Sequence, residues 1–151
     1  MQARPLRRVV ITGMGAISAL GVGAAALWQG LREARSAIGP LRQPDAERLR
    51  VKVAAQVPAS FEPAANLDER ILPTLDRTSE FALHAAREAV AQSGLEFANR
   101  GLGLRTAVVV GTGVVGETTQ DEQSRRLYGE NALRTHPLTI VRLMTNASAS
   151  H

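Results

Sequence analysis

Thr106 to Gln123 reads TAVVVGTGVVGETTQDEQ. Ala107 through Val110 form an apolar, β-branched run of the kind that makes a buried strand. Gly111, Gly113 and Gly116 then complete the G-x-G-x-x-G spacing of a dinucleotide-binding turn. Such a site needs two further things: a helix after the third glycine that packs on the sheet, and an acidic residue closing a second strand about 20 residues on. Neither is present. ETTQDEQSRRLYG, residues 117–129, is polar until Leu127 and Tyr128, and Glu130 follows Gly129 rather than a strand. The related TGMGAIS at 12–18 has Ser18 where the third glycine belongs. Both stretches read as tight turns after strands, not as nucleotide sites.

Outward from this turn, strands and helices alternate. Val9–Thr12 is a short strand-like run punctuated by Gly13 and Gly15, and Ala24, Leu27, Trp28 and Leu31 then fall at helical spacing. Gly39, Pro40 and Pro44 mark a loop, VKVAAQV at 51–57 a short strand, and the next stretch a second loop. LDRTSEFALHAAREAVAQSG, residues 75–94, is the clearest helix. Asp76 caps it and Gly94 ends it; Phe81, Ala82, Ala85, Ala86, Ala89 and Val90 fill one face, with Glu80, His84, Arg87 and Glu88 opposite. An Ala-rich face favours close packing on a sheet. HPLTIVRLMTNASASH, residues 136–151, reads as a last helix with Ile140, Leu143, Met144 and Ala147 on one side. The alternation argues for an α/β fold with parallel strands. The final helix has no C-cap glycine before His151, so its apolar side is expected to need a partner, either a continuation of the chain or another polypeptide.

Composition narrows the function classes. With 151 residues, 44% apolar and 21% charged, the chain has the make-up of one globular domain, and 3% aromatic content implies a core of Val, Leu, Ile and Ala. The net charge is +4, and Lys52 is the one lysine among 18 basic residues. Arginine suits carboxylate or phosphate partners, but these arginines are spread from Arg4 to Arg142, which describes a solvated surface. Without a basic stripe or interleaved aromatics, nucleic acid is not an expected partner. There is no cysteine, which excludes disulfides, thiolate metal sites and a cysteine nucleophile within these residues. His84, His136 and His151 are dispersed and read as structural, so neither zinc nor a His-centred triad is expected. Ser148 and Ser150 lack the G-x-S-x-G turn of a hydrolase, and adjacent Asp121 and Glu122 read as a solvated face. The N-terminus has no apolar leader core, and no apolar stretch reaches the ~20 residues of a membrane span. A cytoplasmic location is expected, with no cofactor.

Taken in order, RRVVITGMGAISALG, LWQGLREARSAIGP, LDRTSEFALHAAREAVAQSG, TAVVVGTGVVG and HPLTIVRLMTNASASH resemble the beginning of the β-ketoacyl-acyl-carrier-protein synthases, closest to the synthase II-like branch with its nodulation-type relatives. The resemblance spans nearly the whole chain. It implies a thiolase-like fold and a homodimeric full-length enzyme, with residues 1–151 as a truncated N-terminal portion of the first α/β half. It also implies a decarboxylative condensation of acyl groups with malonyl-carrier protein through a cysteine thiolate. In the family that cysteine, two histidines and a lysine lie beyond the segment matching His151, so no catalytic residue is expected here and the chain alone is expected to be inactive. Val114 matches a position bordering the acyl pocket near the dimer interface. Arg70 and Arg134 match basic positions that meet the acidic acyl carrier protein, while Pro73 and Thr74 stand where relatives carry further basic residues. A noncatalytic partner subunit of a synthase is the alternative role, and a nucleotide-binding module a third.

Overall fold

The computed structural model describes residues 7–65 and 67–151. Arg4, the first of the dispersed arginines, lies outside them. In chain order the elements are β1 (Ile17–Ser18), β2 (Gly21–Val22), α1 (Ala24–Arg32), β3 (Ile38–Pro40), β4 (Val53–Ala55), α2 (Arg77–Ser93), α3 (Arg100–Gly103), α4 (Glu117–Ser124), α5 (Thr139–Leu143) and α6 (Ala147–Ser150). A single π turn, Arg125–Gly129, continues α4.

Helix α2 is the axis on which the rest is assembled. Its ends are those the sequence announces: the Asp76 carboxylate accepts the Thr78 N–H at 3.1 Å, and Gly94 closes the helix at φ 65°. The chain at Gly13–Ala16 crosses it at very short range, because a Cβ on Gly13 or Gly15 would land on the carbonyl oxygens of Ala89 and Ala85. Two α2 side chains then take over the backbone hydrogen bonding of that crossing segment. Glu88 accepts the N–H groups of Ala16 at 2.9 Å and Ala24 at 2.8 Å, and Gln92 accepts that of Met14 at 2.6 Å. Glu88 thereby also caps the start of α1.

The faces of α2 differ from the amphipathic reading. His84 is buried, not solvated: its Nε2 lies 3.0 Å from the Pro63 carbonyl oxygen and its ring meets that of Phe61 at 4.7 Å. Phe61 also meets Phe81 edge-on at 5.4 Å, and the Arg77 guanidinium sits 4.7 Å from both phenyl centroids. Val90 and Ala86, expected in the core, are exposed. The reason is that loops and short helices cover α2 from several sides, so polar positions that find partners are buried and apolar ones without partners are not.

Strand pairing also departs from expectation. The ladders among the described residues are antiparallel, β1 with β2 (Ile17↔Val22) and β3 with β4 (Ile38↔Ala55). The runs 9–12 and 106–110, read as parallel strands, carry no ladder. A strand exists only with a neighbour to accept its N–H groups, and those of residues 9–11 and 107–110 meet no backbone acceptor among the described residues. The expected last helix is two short ones, because Met144 takes an extended ψ of 134° between α5 and α6. Ala147 and Ser148 are nevertheless buried, with the Ser148 hydroxyl 3.0 Å from that of Ser79 on α2, while Ile140 and Met144 are exposed.

The buried apolar set is small: Phe61, Leu67, Leu75 and Ala147. Buried polar residues accompany it, Asp76, Ser79, His84, Thr119, Gln123, Thr139 and Ser148. Among the described residues none of their buried side-chain atoms lacks a hydrogen-bond partner. No helix among the described residues is long and apolar enough to cross a membrane.

Candidate functional site

The glycine turn at 111–116 is held firmly at its downstream end. Gly116 opens α4 at φ 76° and is buried so tightly that a Cβ would sit 2.6 Å from Leu143 Cδ2 and 2.9 Å from Leu143 Cα. Beyond it, the Thr119 N–H and hydroxyl both donate to Asp76 Oδ2, at 2.9 and 2.7 Å. One carboxylate therefore caps two helices, α2 through Oδ1 and α4 through Oδ2. This also answers the nucleotide question in physical terms. The start of α4 is where a pyrophosphate would be received, and a buried carboxylate of the chain itself occupies that position.

The polar helix α4 has a role its composition hides. Thr119 and Gln123 are its buried face, and Gln123 Oε1 accepts the His136 N–H at 2.9 Å, tying α4 to the segment leading into α5. Arg142 donates from Nε to the Pro73 carbonyl at 2.8 Å, and the Thr74 hydroxyl lies 3.4 Å from His151 Nε2. Turn, α4, α5, α6 and the start of α2 thus form one hydrogen-bonded unit. Of the three histidines, His84 is buried against Pro63, His136 Nδ1 accepts the Leu138 N–H at 3.2 Å, and His151 is exposed beside Thr74.

The upstream half of the turn is open. Nothing lies within 4 Å of a Cβ placed on Gly111 or Gly113, the Thr112 hydroxyl donates to the Val114 carbonyl at 2.9 Å, and the Val114 side chain is 62% exposed. Val114 is thus presented on an anchored turn rather than packed in a core. Arg70 lies exposed and forks onto Asp68, with Nη2 to Oδ2 at 2.6 Å and Nε to Oδ1 at 3.0 Å. The hydrogen bonds from Arg70 hold the Asp68 carboxyl below the usual carboxylate range and raise the Arg70 guanidinium in turn. Arg134 is exposed and forms no ion pair among the described residues. No hydrogen bond or ion pair joins Val114, Arg70 and Arg134.

Two concavities flank this unit. An apolar groove of about 630 Å³ lies between α1 and α2, lined by Met14, Leu27, Trp28, Leu31, Ala86 and Ala89 among others. A polar cleft of about 990 Å³ lies between the 43–49 loop and α4. Arg125 spans that cleft, 2.8 Å from Asp45 and 2.9 Å from Asp121, and both carboxylates raise its pKa. The sequence reading missed this clamp, the double role of Asp76 and the backbone clasp of Glu88. Each joins residues far apart in the chain, and no local pattern signals such a pair.

Comparison with known proteins bears on the same residues. Residues 6–151 match the family model for the beta-ketoacyl synthase N-terminal domain. Nodulation protein E of Rhizobium meliloti (strain 1021) is 41% identical over 143 residues, which is 95% of this chain and 35% of that protein. The 3-oxoacyl-[acyl-carrier-protein] synthase 2 of Coxiella burnetii is 38% identical over 110 residues, 73% of this chain and 26% of that protein. Among solved structures, one described as the ishigamide ketosynthase/chain length factor superposes with a TM-score of 0.70 at 27% identity, covering 94% of this chain and 35% of that one. The chain thus spans about a third of the length of the relatives it matches over most of its own. The fold is thiolase-like, that of the ketosynthases it superposes on. On sequence and structure together, the chain belongs to the β-ketoacyl synthase family.

Proposed function

We propose that the chain serves as the N-terminal portion of a 3-oxoacyl-acyl-carrier-protein synthase, and that the complete catalyst condenses acyl groups with malonyl-acyl-carrier protein in fatty acid or related biosynthesis. The observation that carries this reading is the family match over residues 6–151, joined to the ketosynthase fold. In the proposed chemistry a cysteine thiolate takes the acyl group from carrier protein. Malonyl-carrier protein then loses carbon dioxide, and its carbanion attacks the thioester carbonyl, expelling the thiolate. The 151 residues contain no cysteine, so the acyl-enzyme bond forms elsewhere in the complete catalyst and this chain alone is inactive.

In this reading residues 1–151 contribute scaffold and recognition. The exposed Val114, on a turn braced by Asp76 and Gly116, borders the acyl pocket. Arg70 and Arg134, both exposed, meet the acidic carrier protein, and the complete enzyme is a cytoplasmic homodimer. The test is steady-state kinetics of a complete enzyme carrying this segment, with Arg70→Glu and Arg134→Glu. A higher KM for carrier protein with kcat retained supports the assignment; an unchanged KM removes both residues from it. A second reading, a noncatalytic subunit that pairs with a synthase, draws support from the likeness to the structure described as a ketosynthase/chain length factor.

A further inference from the structure

The place of Val114 is set by what holds its turn, because its own side chain does not pack. That side chain is 62% exposed, and Gly111 and Gly113 just upstream have open space where a side chain would stand. Two sets of contacts hold the turn instead. On the upstream side, the Thr112 hydroxyl donates to the carbonyl of Val114 itself at 2.9 Å. On the downstream side, Gly116 and Thr119 are buried at the start of α4, three positions apart and so on one face. Gly116 rests on Leu143, and Thr119 gives both its N–H and its hydroxyl to Asp76 Oδ2. Asp76 is itself 3% exposed, and its other carboxylate oxygen is committed to the Thr78 N–H of α2. Val114 therefore stands two residues beyond a fixed point, on a short arm with a hydrogen bond of its own. An apolar wall that is held in place discriminates against one extra methylene by about 10- to 200-fold. A wall that gives way loses that discrimination, because a small displacement makes room for the longer chain.

Resting on the reading of Val114 as a border of the acyl pocket, we propose that Thr119 and Thr112 are its positioning residues. The link from Asp76 to Thr119 then sets how sharply the complete synthase discriminates between acyl groups of different length. Both threonines act through Val114 and not on the acyl chain: Thr112 fixes its carbonyl, and Thr119 fixes the helix start from which the turn projects.

The experiment measures kcat/KM for a long-chain and a short-chain acyl-carrier protein in a complete synthase carrying residues 1–151. Thr119→Val keeps the shape of the side chain and removes the hydroxyl donor alone, so Asp76 still accepts one N–H from each helix. The expected result is a rise of about fivefold in the long-to-short ratio, with the KM for malonyl-carrier protein unchanged. Thr119→Ser, which restores the hydroxyl, is expected to restore the ratio. Thr112→Val, at an exposed position where folding is not at stake, is expected to raise the ratio by about twofold. Val114→Ala raises it by removing the wall. Thr119→Val added to Val114→Ala is expected to change nothing further, because no wall remains to be held. Gln120→Ala, exposed on the same helix, is expected to leave the ratio as it is. The proposal is overturned if Thr119→Val slows both substrates alike, if its effect multiplies with that of Val114→Ala, or if Gln120→Ala shifts the ratio equally. Should Thr119→Val fail to fold, Thr112→Val and its combination with Val114→Ala carry the same test. An unchanged ratio in Val114→Ala would remove Val114 from the pocket and overturn the functional reading together with this one. A shifted ratio in Val114→Ala beside an unchanged one in Thr119→Val would overturn this one alone.

Discussion

The replacement Asp76→Ala tests how the molecule is held together. The carboxylate is 3% exposed and accepts three hydrogen bonds: the Thr78 N–H at 3.1 Å through Oδ1, and the Thr119 N–H and hydroxyl at 2.9 and 2.7 Å through Oδ2. Loss of an N-cap costs about 1 kcal/mol per helix. Leaving the buried Thr119 donors without an acceptor adds about 1–3 kcal/mol. The total is about 3–5 kcal/mol, a drop of about 6–20 °C in Tm at the 2–4 °C per kcal/mol typical of this size. Asp76→Asn is the sharper probe. Its amide oxygen can serve one helix, but the amide NH₂ then faces Thr119 donors, so a loss of about 2 kcal/mol is expected, with the other cap broken. Urea denaturation followed by circular dichroism gives the stability, and amide exchange at Thr78 and Thr119 shows which cap survives. Equal stability of wild type and Asp76→Ala, or unchanged exchange at Thr119, would refute the double cap.

Glu88→Ala removes the acceptor for Ala16 and Ala24, and a loss of about 2 kcal/mol is expected, with faster amide exchange at those two residues and not at Thr119. Gly15→Val places a Cβ on the Ala85 carbonyl and should cost more than about 3 kcal/mol, read by the same denaturation, whereas Gly129→Ala, with nothing within 4 Å of its Cβ, should be mild. Asp68 titrates below the ordinary carboxylate range because Arg70 hydrogen-bonds its charged form. Its folded pKa is the lower one, so its small contribution to stability is present above the unfolded pKa and disappears as pH falls through the folded value. Carboxyl NMR titration should show this midpoint return to the ordinary range in Arg70→Ala.

Local signals in the sequence were good guides where one residue decides one event. Asp76 and Gly94 bound α2 as their chemistry requires, and VKVAAQV contains β4. What local reading could not supply is the partner of each face. His84 lies on the polar side of the helical wheel and is buried because Phe61 and Pro63 come to it from a loop. Val9–Ile11 and Val108–Val110 have strand composition without strand pairing, since a ladder is a property of two segments and composition names only one of them. The resemblance to condensing enzymes was legible across blocks in order, while Val114, Arg70 and Arg134 gain from the structure an exposure that fits their proposed roles but no contact with one another.

The most direct measurement of the central claim is intact-mass and peptide analysis after incubation with acyl-loaded carrier protein, for residues 1–151 alone and for a complete synthase carrying them. The expected result is an acyl adduct, labile to hydroxylamine as a thioester is, on a cysteine of the complete enzyme outside residues 1–151 and none on residues 1–151. An adduct within residues 1–151, or a complete enzyme that takes no acyl group, would contradict the account.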